Sequence, residues 1–335
     1  QHPSGCGRQV LRSLSLRTRT GGACGRTGAS LGATLGGLAT SGRDKVSIIT
    51  SPRLVSLGLW IEQLLAESTG KNGNGLVPVS GEPVYGASEY GSDRDFVYVR
   101  LSGDANEETD ARASALEAAD QPVTRLDLDD AYDLGGEFFR WEVAVAVAAR
   151  AISVYPFDQP DVESAKELTR NLLASVGEVD RDAADSGKRE APAVPSSDPA
   201  VDVLMQARAS DYVAILGYFP SSEGAEAAIS ELRAAITRTT GATTTFGYGP
   251  RYLHSTGQLH KGGPAGVIGL ALAAGNEEAL AAPEADHGFE SLFVAQLTGD
   301  VEALRANGRR SAVVALGAPY ADAIRKIAED LNESR

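Results

Sequence analysis

The sequence predicts an α/β protein: a parallel sheet flanked by helices, followed by a smaller C-terminal α/β domain. Two observations carry that reading. Short runs such as KVSIIT (45–50) and FVYVRL (96–101) alternate with longer amphipathic runs, and strands alternating with helices imply a mostly parallel sheet covered on both faces. The charged, proline-bearing stretch GEVDRDAADSGKREAPAVPSSDP (177–199) has almost nothing to bury and divides two sets of such alternations. The expected organisation is a disordered basic arm over 1–28, a first domain over 29–176, a linker over 177–199 and a second domain over 200–335.

In chain order, GASLGATLGGLATSG reads as a small-residue helix and KVSIIT as a short buried strand. SLGLWIEQLLAESTG (56–70) reads as an amphipathic helix. A short strand follows the glycine-rich turn after it, then come the strand FVYVRL, an exposed helix over 106–119 and the strand PVTRLDL (122–128). GEFFRWEVAVAVAARAIS (136–153) is apolar on nearly all sides and predicts a buried helix. Within it GEFFRWE sets two carboxylates and an arginine in apolar surroundings, so a structural ion pair between Glu142 and Arg140 or a neighbour is expected. Beyond the linker come a strand over 211–219, a helix over 222–239, a strand over 266–274, a helix over 290–308, the strand SAVVALG (311–317) and a closing helix.

Composition bounds the function. The chain has 335 residues, 42% of them hydrophobic, enough for two cores of ordinary size. No apolar run reaches the ~18 residues a membrane span needs, and no signal-peptide order opens the chain, so a cytoplasmic location is the default expectation. Both cysteines, Cys6 and Cys24, fall in the first 26 residues, which argues against disulfides, thiolate metal sites or a cysteine nucleophile beyond them. The net charge of −14 opposes nucleic-acid binding in general while leaving room for a local basic pocket that holds a small anion.

That average hides a break. Residues 1–43 hold six arginines and no Asp or Glu, a net +6, which leaves −20 on the rest. The opening stretch has no sustained apolar period and is rich in Gly, Ser, Thr and Arg, the composition of a disordered arm. A nucleic-acid arm or transit peptide is one reading; the preferred one is sequence from a shifted reading frame or truncated gene model.

Three places could carry chemistry. FDQPDVESAK (157–166) ends an apolar helix with an aromatic, a carboxylate and an amide and restarts a helix at Pro160. Asp158 is placed to cap that helix and Lys166 lies two turns along; alone, the segment reads as a helix corner with a solvated lysine. ESTGKNGNG (67–75) permits close backbone approach to a ligand but equally makes a turn, and in the GEP that follows (81–83) the proline holds Glu82 extended and fixes its carboxylate, as proton abstraction requires. GYGPRYLHSTGQLHKGGP (247–264) is the densest polar cluster, gathering Arg251, His254, Ser255, Thr256, Gln258, His260 and Lys261. Anion or sugar recognition and a polar surface helix both account for it. His254 and His260, six apart, share no helical face, which argues against zinc.

Together and in this order, GRDKVSIITSP, LWIEQLLAESTGKNGNGLVPVSGEP, YDLGGEFFRWE, PFDQPDVESAK and GYGPRYLHSTGQLHKGGP resemble stretches of glucose-6-phosphate isomerase, most closely the isomerase half of bifunctional transaldolase/glucose-6-phosphate isomerase. The resemblance runs from about Ala29 to the C-terminus, with Asp161 where a small residue is common. It implies paired sugar-isomerase (SIS-type) domains, an active site formed between domains and subunits, a homo-oligomer in the intact enzyme, and a hexose 6-phosphate substrate with no metal or other cofactor. By motif, Glu82 resembles the base that moves a proton between C1 and C2, Lys166 the lysine at the ring oxygen, and His254 the ring-opening histidine. Gln159 would contact the phosphate side, with Lys71, Glu67, Arg251 and Gln258 around the substrate. The family's serine/threonine-rich phosphate loop and its GGR-aromatic-S phrase are not in this sequence. The implied function is aldose–ketose isomerisation of glucose 6-phosphate to fructose 6-phosphate by a fragment of the enzyme; the alternative is a non-catalytic sugar-phosphate-binding module.

Overall fold

The computed structural model describes residues 14–17, 22–160, 193–194, 199–275 and 288–334. Their contacts divide them into two compact units, one from 1–69 and 75–156, the other from 70–74 and 157–335. The five residues 70–74 thus group with the later half of the chain.

The first unit is a parallel sheet in the order β1-β5-β4-β2-β3, with β1 Leu14–Arg17, β2 Lys45–Thr50, β3 Val77–Val79, β4 Arg94–Leu101 and β5 Val123–Leu128. Nearly every residue of β2 and β4 is buried, as expected of strands covered on both faces. The helices are α1 Gly22–Thr40, α2 Val55–Thr69, α3 Glu107–Ala118 and α4 Leu134–Ala151. Leu31 and Leu35 of α1, Ile61 and Leu65 of α2 and Trp141 and Val145 of α4 share one core with Val97, Val99 and Leu126 of the sheet.

Glycine spacing sets how closely α1 and α4 pack. Gly28, Gly32 and Gly36 recur every four residues on one face of α1; a Cβ on Gly28 would lie 2.7 Å from the carbonyl oxygen of Arg140, and one on Gly32 would strike that of Ala144. The buried ion pair expected in GEFFRWE forms inside α4, but between Arg140 and Glu137, 2.8 Å apart and both fully buried, while Glu142 is exposed. The three-residue spacing places Glu137 on the inward face with Arg140; Glu142, two residues on, points elsewhere.

Part of the expected arm over 1–28 falls among the described residues. Leu14–Arg17 pairs in parallel with β5, Leu14 opposite Thr124, and α1 begins at Gly22. β5 otherwise has an unpaired edge, whose N–H and C=O groups recruit an adjacent extended segment whatever its composition.

The second unit holds a parallel sheet in the order β7-β6-β8-β9, with β6 Tyr212–Tyr218, β7 Thr243–Tyr248, β8 Val267–Ala274 and β9 Arg310–Leu316. Its helices are α5 Ala200–Leu204, α6 Glu223–Thr240, α7 Gly257–Gly262, α8 Phe289–Ala306 and α9 Tyr320–Glu333. Ser222 caps α6 by accepting from the Ala225 N–H at 3.2 Å, and Gly241, at φ 76°, ends it in the left-handed conformation glycine adopts freely. The sequence reading did not pick out β7. Its first three residues are buried threonines, and Thr244 accepts from Arg233 Nε at 3.1 Å; a strand that buries hydroxyls lacks the apolar run by which strands are recognised.

Candidate functional site

Three of the motif segments converge within the second unit. The turn Gly70–Asn74 is closed on itself by Lys71 N–H to Asn74 O and Asn74 N–H to Lys71 O, both 2.9 Å. Its central residues Asn72 and Gly73 have φ 55° and 77°, the left-handed pair that Asn-Gly adopts readily in a two-residue turn. The turn is also held by the polar cluster nearly two hundred residues away. Gln258 Nε2 donates to Gly70 O at 2.9 Å, and Gly73 N–H donates to Gly262 O at 2.9 Å. The third segment enters through Asp158 of FDQ, whose Oδ1 lies 3.0 Å from Lys71 Nζ.

Behind this turn the polar cluster is a 3₁₀ turn (Arg251–His254) followed by α7, not one surface helix. Gln258, His260 and Lys261 are all buried, and each meets a partner from another part of the chain: Gly70 O, the Tyr212 hydroxyl and Asp300. Lys261 Nζ sits 2.5 Å from Asp300 Oδ1, with both side chains 2% exposed. Tyr252 donates a short hydrogen bond to the same carboxylate, and the Tyr218 hydroxyl lies 3.2 Å from that of Tyr252. Burial, then the Asp300 charge, pushes the Tyr252 phenol well above its usual value. Arg309 donates to Gly263 O at 2.6 Å and to Lys261 O at 3.0 Å, satisfying carbonyls at the end of α7. The Nδ1 of His260 lies 3.1 Å from the Tyr212 hydroxyl, and burial, with Lys261 beside it, pushes the imidazole down to about 3. His260 is therefore neutral at physiological pH and does not trade protons there.

In the first unit Glu82 is 8% exposed and its carboxylate is enclosed. Oε1 accepts a short hydrogen bond from Arg94 at the start of β4, while Oε2 lies 3.3 Å from Ser47 Oγ of β2 and 3.8 Å from Arg112 Nη2 of α3. The Tyr90 hydroxyl accepts from Arg112 at 2.8 Å, and its ring faces the Arg94 guanidinium at 5.3 Å.

The remaining expected residues scatter. Glu67 is half-buried in the last turn of α2, with Gln63 Nε2 3.5 Å from it. His254, Arg251 and Gln159 are exposed. Lys166 lies outside the described residues. Lys71 and Gln258 are buried, so Gln258 as it stands supports the turn rather than facing solvent. The sequence reading missed Arg94, Arg112, Asp300 and Arg309. None of the four left a local signal, because their partners lie on other elements. Among the described residues no three or more His, Cys, Asp or Glu side chains gather as a metal site, and no helix is long and apolar enough to cross a membrane.

No protein-family model matches the chain. Over 157 residues it is 29% identical to a "Probable glucose-6-phosphate isomerase" of Haloarcula marismortui, covering 36% of this chain and 35% of that protein. Over 176 residues it is 30% identical to the protein of the same name in Haloquadratum walsbyi, covering 42% and 41%. The chain thus spans about two fifths of the length of the curated relatives it matches. Among solved structures, a hypothetical protein from Thermus thermophilus superposes with a TM-score of 0.34 at 14% identity, over 94% of this chain and 86% of that one. The C-terminal domain of glucosamine-fructose-6-phosphate aminotransferase from Francisella tularensis gives 0.24 at 10%, over 92% of each. Superpositions this loose add nothing to the topology established by strand pairing. Over the aligned part, the chain is similar in sequence to proteins named probable glucose-6-phosphate isomerase.

Proposed function

We propose that this chain is the C-terminal part of an enzyme that interconverts glucose 6-phosphate and fructose 6-phosphate by proton transfer between C1 and C2. The observation that supports it best is the convergence of GKNGN (70–74), FDQ and HSTGQLHKGG in the second unit through Gln258, Gly262 and Asp158, since motifs far apart in sequence have no structural need to meet. In this reading His254, exposed on its 3₁₀ turn, opens the sugar ring together with Lys166, and Gln159 faces the phosphate. A carboxylate then carries the proton, while positive charge holds the enediolate.

The geometry bears on which carboxylate that is. Glu82 is 8% exposed and enclosed by Arg94 and Arg112, whereas a base must reach its substrate. Glu67 is half-buried at the end of α2 and more open to a substrate, so we assign the base to Glu67 and a supporting role to Glu82. The test is a coupled isomerase assay on this chain joined to an upstream domain carrying the phosphate loop and the GGR phrase. Glu67→Gln should lower the rate about a hundredfold or more. An unchanged rate removes Glu67 from the chemistry, and an inactive parent enzyme overturns the isomerase reading.

The absence of those two phrases from the sequence favours a second reading, a sugar-phosphate-binding module without catalysis. Calorimetry separates the two: an isomerase binds an enediolate-mimicking hydroxamate more tightly than fructose 6-phosphate, and a module binds both alike.

A further inference from the structure

The Lys71–Asp158 pair is lopsided. The lysine side chain is 1% exposed, whereas the carboxylate that meets it at 3.0 Å is 55% exposed. Asp158 is therefore the cover between a buried ammonium and solvent. The ammonium is firmly held, because Lys71 sits in a turn closed by two backbone hydrogen bonds and pinned to α7 by Gln258 and Gly262. Its partner is bound by less: Asp158 lies outside the regular elements described, and neighbouring Phe157 is 76% exposed. A rigid buried cation under a solvent-facing anion is the arrangement of a charge seat whose occupant can be exchanged.

We propose that the Asp158 carboxylate occupies, in the unliganded chain, the seat on Lys71 that an oxyanion of the ligand takes on binding, the phosphate group of a sugar phosphate being the class that fits. An oxyanion offers the ammonium the same charge-assisted hydrogen bond as a carboxylate, so the exchange leaves no buried charge unpaired. Asp158 then competes with the ligand. This deepens the sugar-phosphate reading above and rests on Lys71 belonging to that site.

The test is titration of the full 335-residue chain with inorganic phosphate, followed by calorimetry and by the side-chain ammonium signal of Lys71 in NMR. Asp158→Asn should bind phosphate about three- to tenfold more tightly than the parent, with the Lys71 signal shifting on addition. Equal or weaker binding by Asp158→Asn, or tighter binding without a shift at Lys71, overturns the proposal. Lys71→Met should abolish phosphate binding, and the NMR readout on the unsubstituted lysine keeps the proposal falsifiable even where that variant fails to fold. The isomerase assay is independent of it: turnover with unchanged phosphate affinity sinks the seat alone, and tighter phosphate binding in a domain-restored enzyme without turnover sinks the isomerase reading alone.

Discussion

The Glu82 pocket of the first unit and the Lys71 turn of the second both place a charge in the interior, yet they differ in where the partner stands. At Glu82 the carboxylate and the Arg94 guanidinium are both almost wholly buried, 2% and 3% exposed. At Lys71 only one member is buried. The division does not follow the units, since Lys261 and Asp300 in the second are enclosed as completely as Glu82 and Arg94. What separates the cases is whether the pair can open without stranding a charge. A pair buried on both sides is architecture, and a pair with one side in water is available for exchange.

Three substitutions probe that contrast, from the largest effect to the smallest. Glu82→Ala leaves the buried Arg94 and the partly buried Arg112 without their carboxylate and should cost about 3–5 kcal/mol of stability, read by urea denaturation through the fluorescence of Trp60 and Trp141. A loss within about 1 kcal/mol would mean that the pocket opens as readily as the lysine turn.

Asp95 extends the contrast to a buried carboxyl with no ion pair among the described residues. It is 1% exposed, neither carboxylate oxygen has a hydrogen-bond partner among those residues, and burial pushes it up to about 7 despite the Arg43 charge and a backbone contact at Phe96. Its folded value exceeds the unfolded value of about 3.9, so the folded state holds the proton more tightly. The stability it contributes is complete below about pH 4 and is lost as pH rises towards 7, of order a few kcal/mol. Asp44, likewise raised mainly by burial, adds a change of the same sign. Asp95→Asn should flatten the decline between pH 5 and pH 8 and leave the variant more stable than the parent at pH 8. An unaltered slope in urea midpoints across that range would show that Asp95 does not carry it.

The smallest effect belongs to the lysine turn. Asp158→Asn removes a carboxylate that is more than half exposed, so stability should change by less than about 1 kcal/mol. A loss as large as that at Glu82 would erase the contrast and with it the exchangeable seat.

Much of this was legible in the chain. KVSIIT and FVYVRL announce buried strands, and the apolar girth of 136–153 announces a buried helix, because burial on both faces demands apolar residues over a fixed length. The motif segments are legible too, since resemblance needs only contiguous residues. Which partners their charges find is not. Glu137, rather than Glu142, holds Arg140 because helical phase decides it. β1 pairs because β5 has an edge to offer, and β7 hides because it buries threonines on Arg233.

By itself, the sequence determined the alternation of strands and helices, the acidic balance and the partial resemblance to glucose-6-phosphate isomerases, all properties of short windows read in order. Only the tertiary structure decided that Gly70–Asn74 groups with residues far beyond it, that Glu82 is enclosed by Arg94 and Arg112, and that Lys71 lies beneath an exposed Asp158. The physical reason is that electrostatic partnership and burial depend on distances through space, and a chain whose contacts bridge nearly two hundred residues does not write those distances into its local pattern.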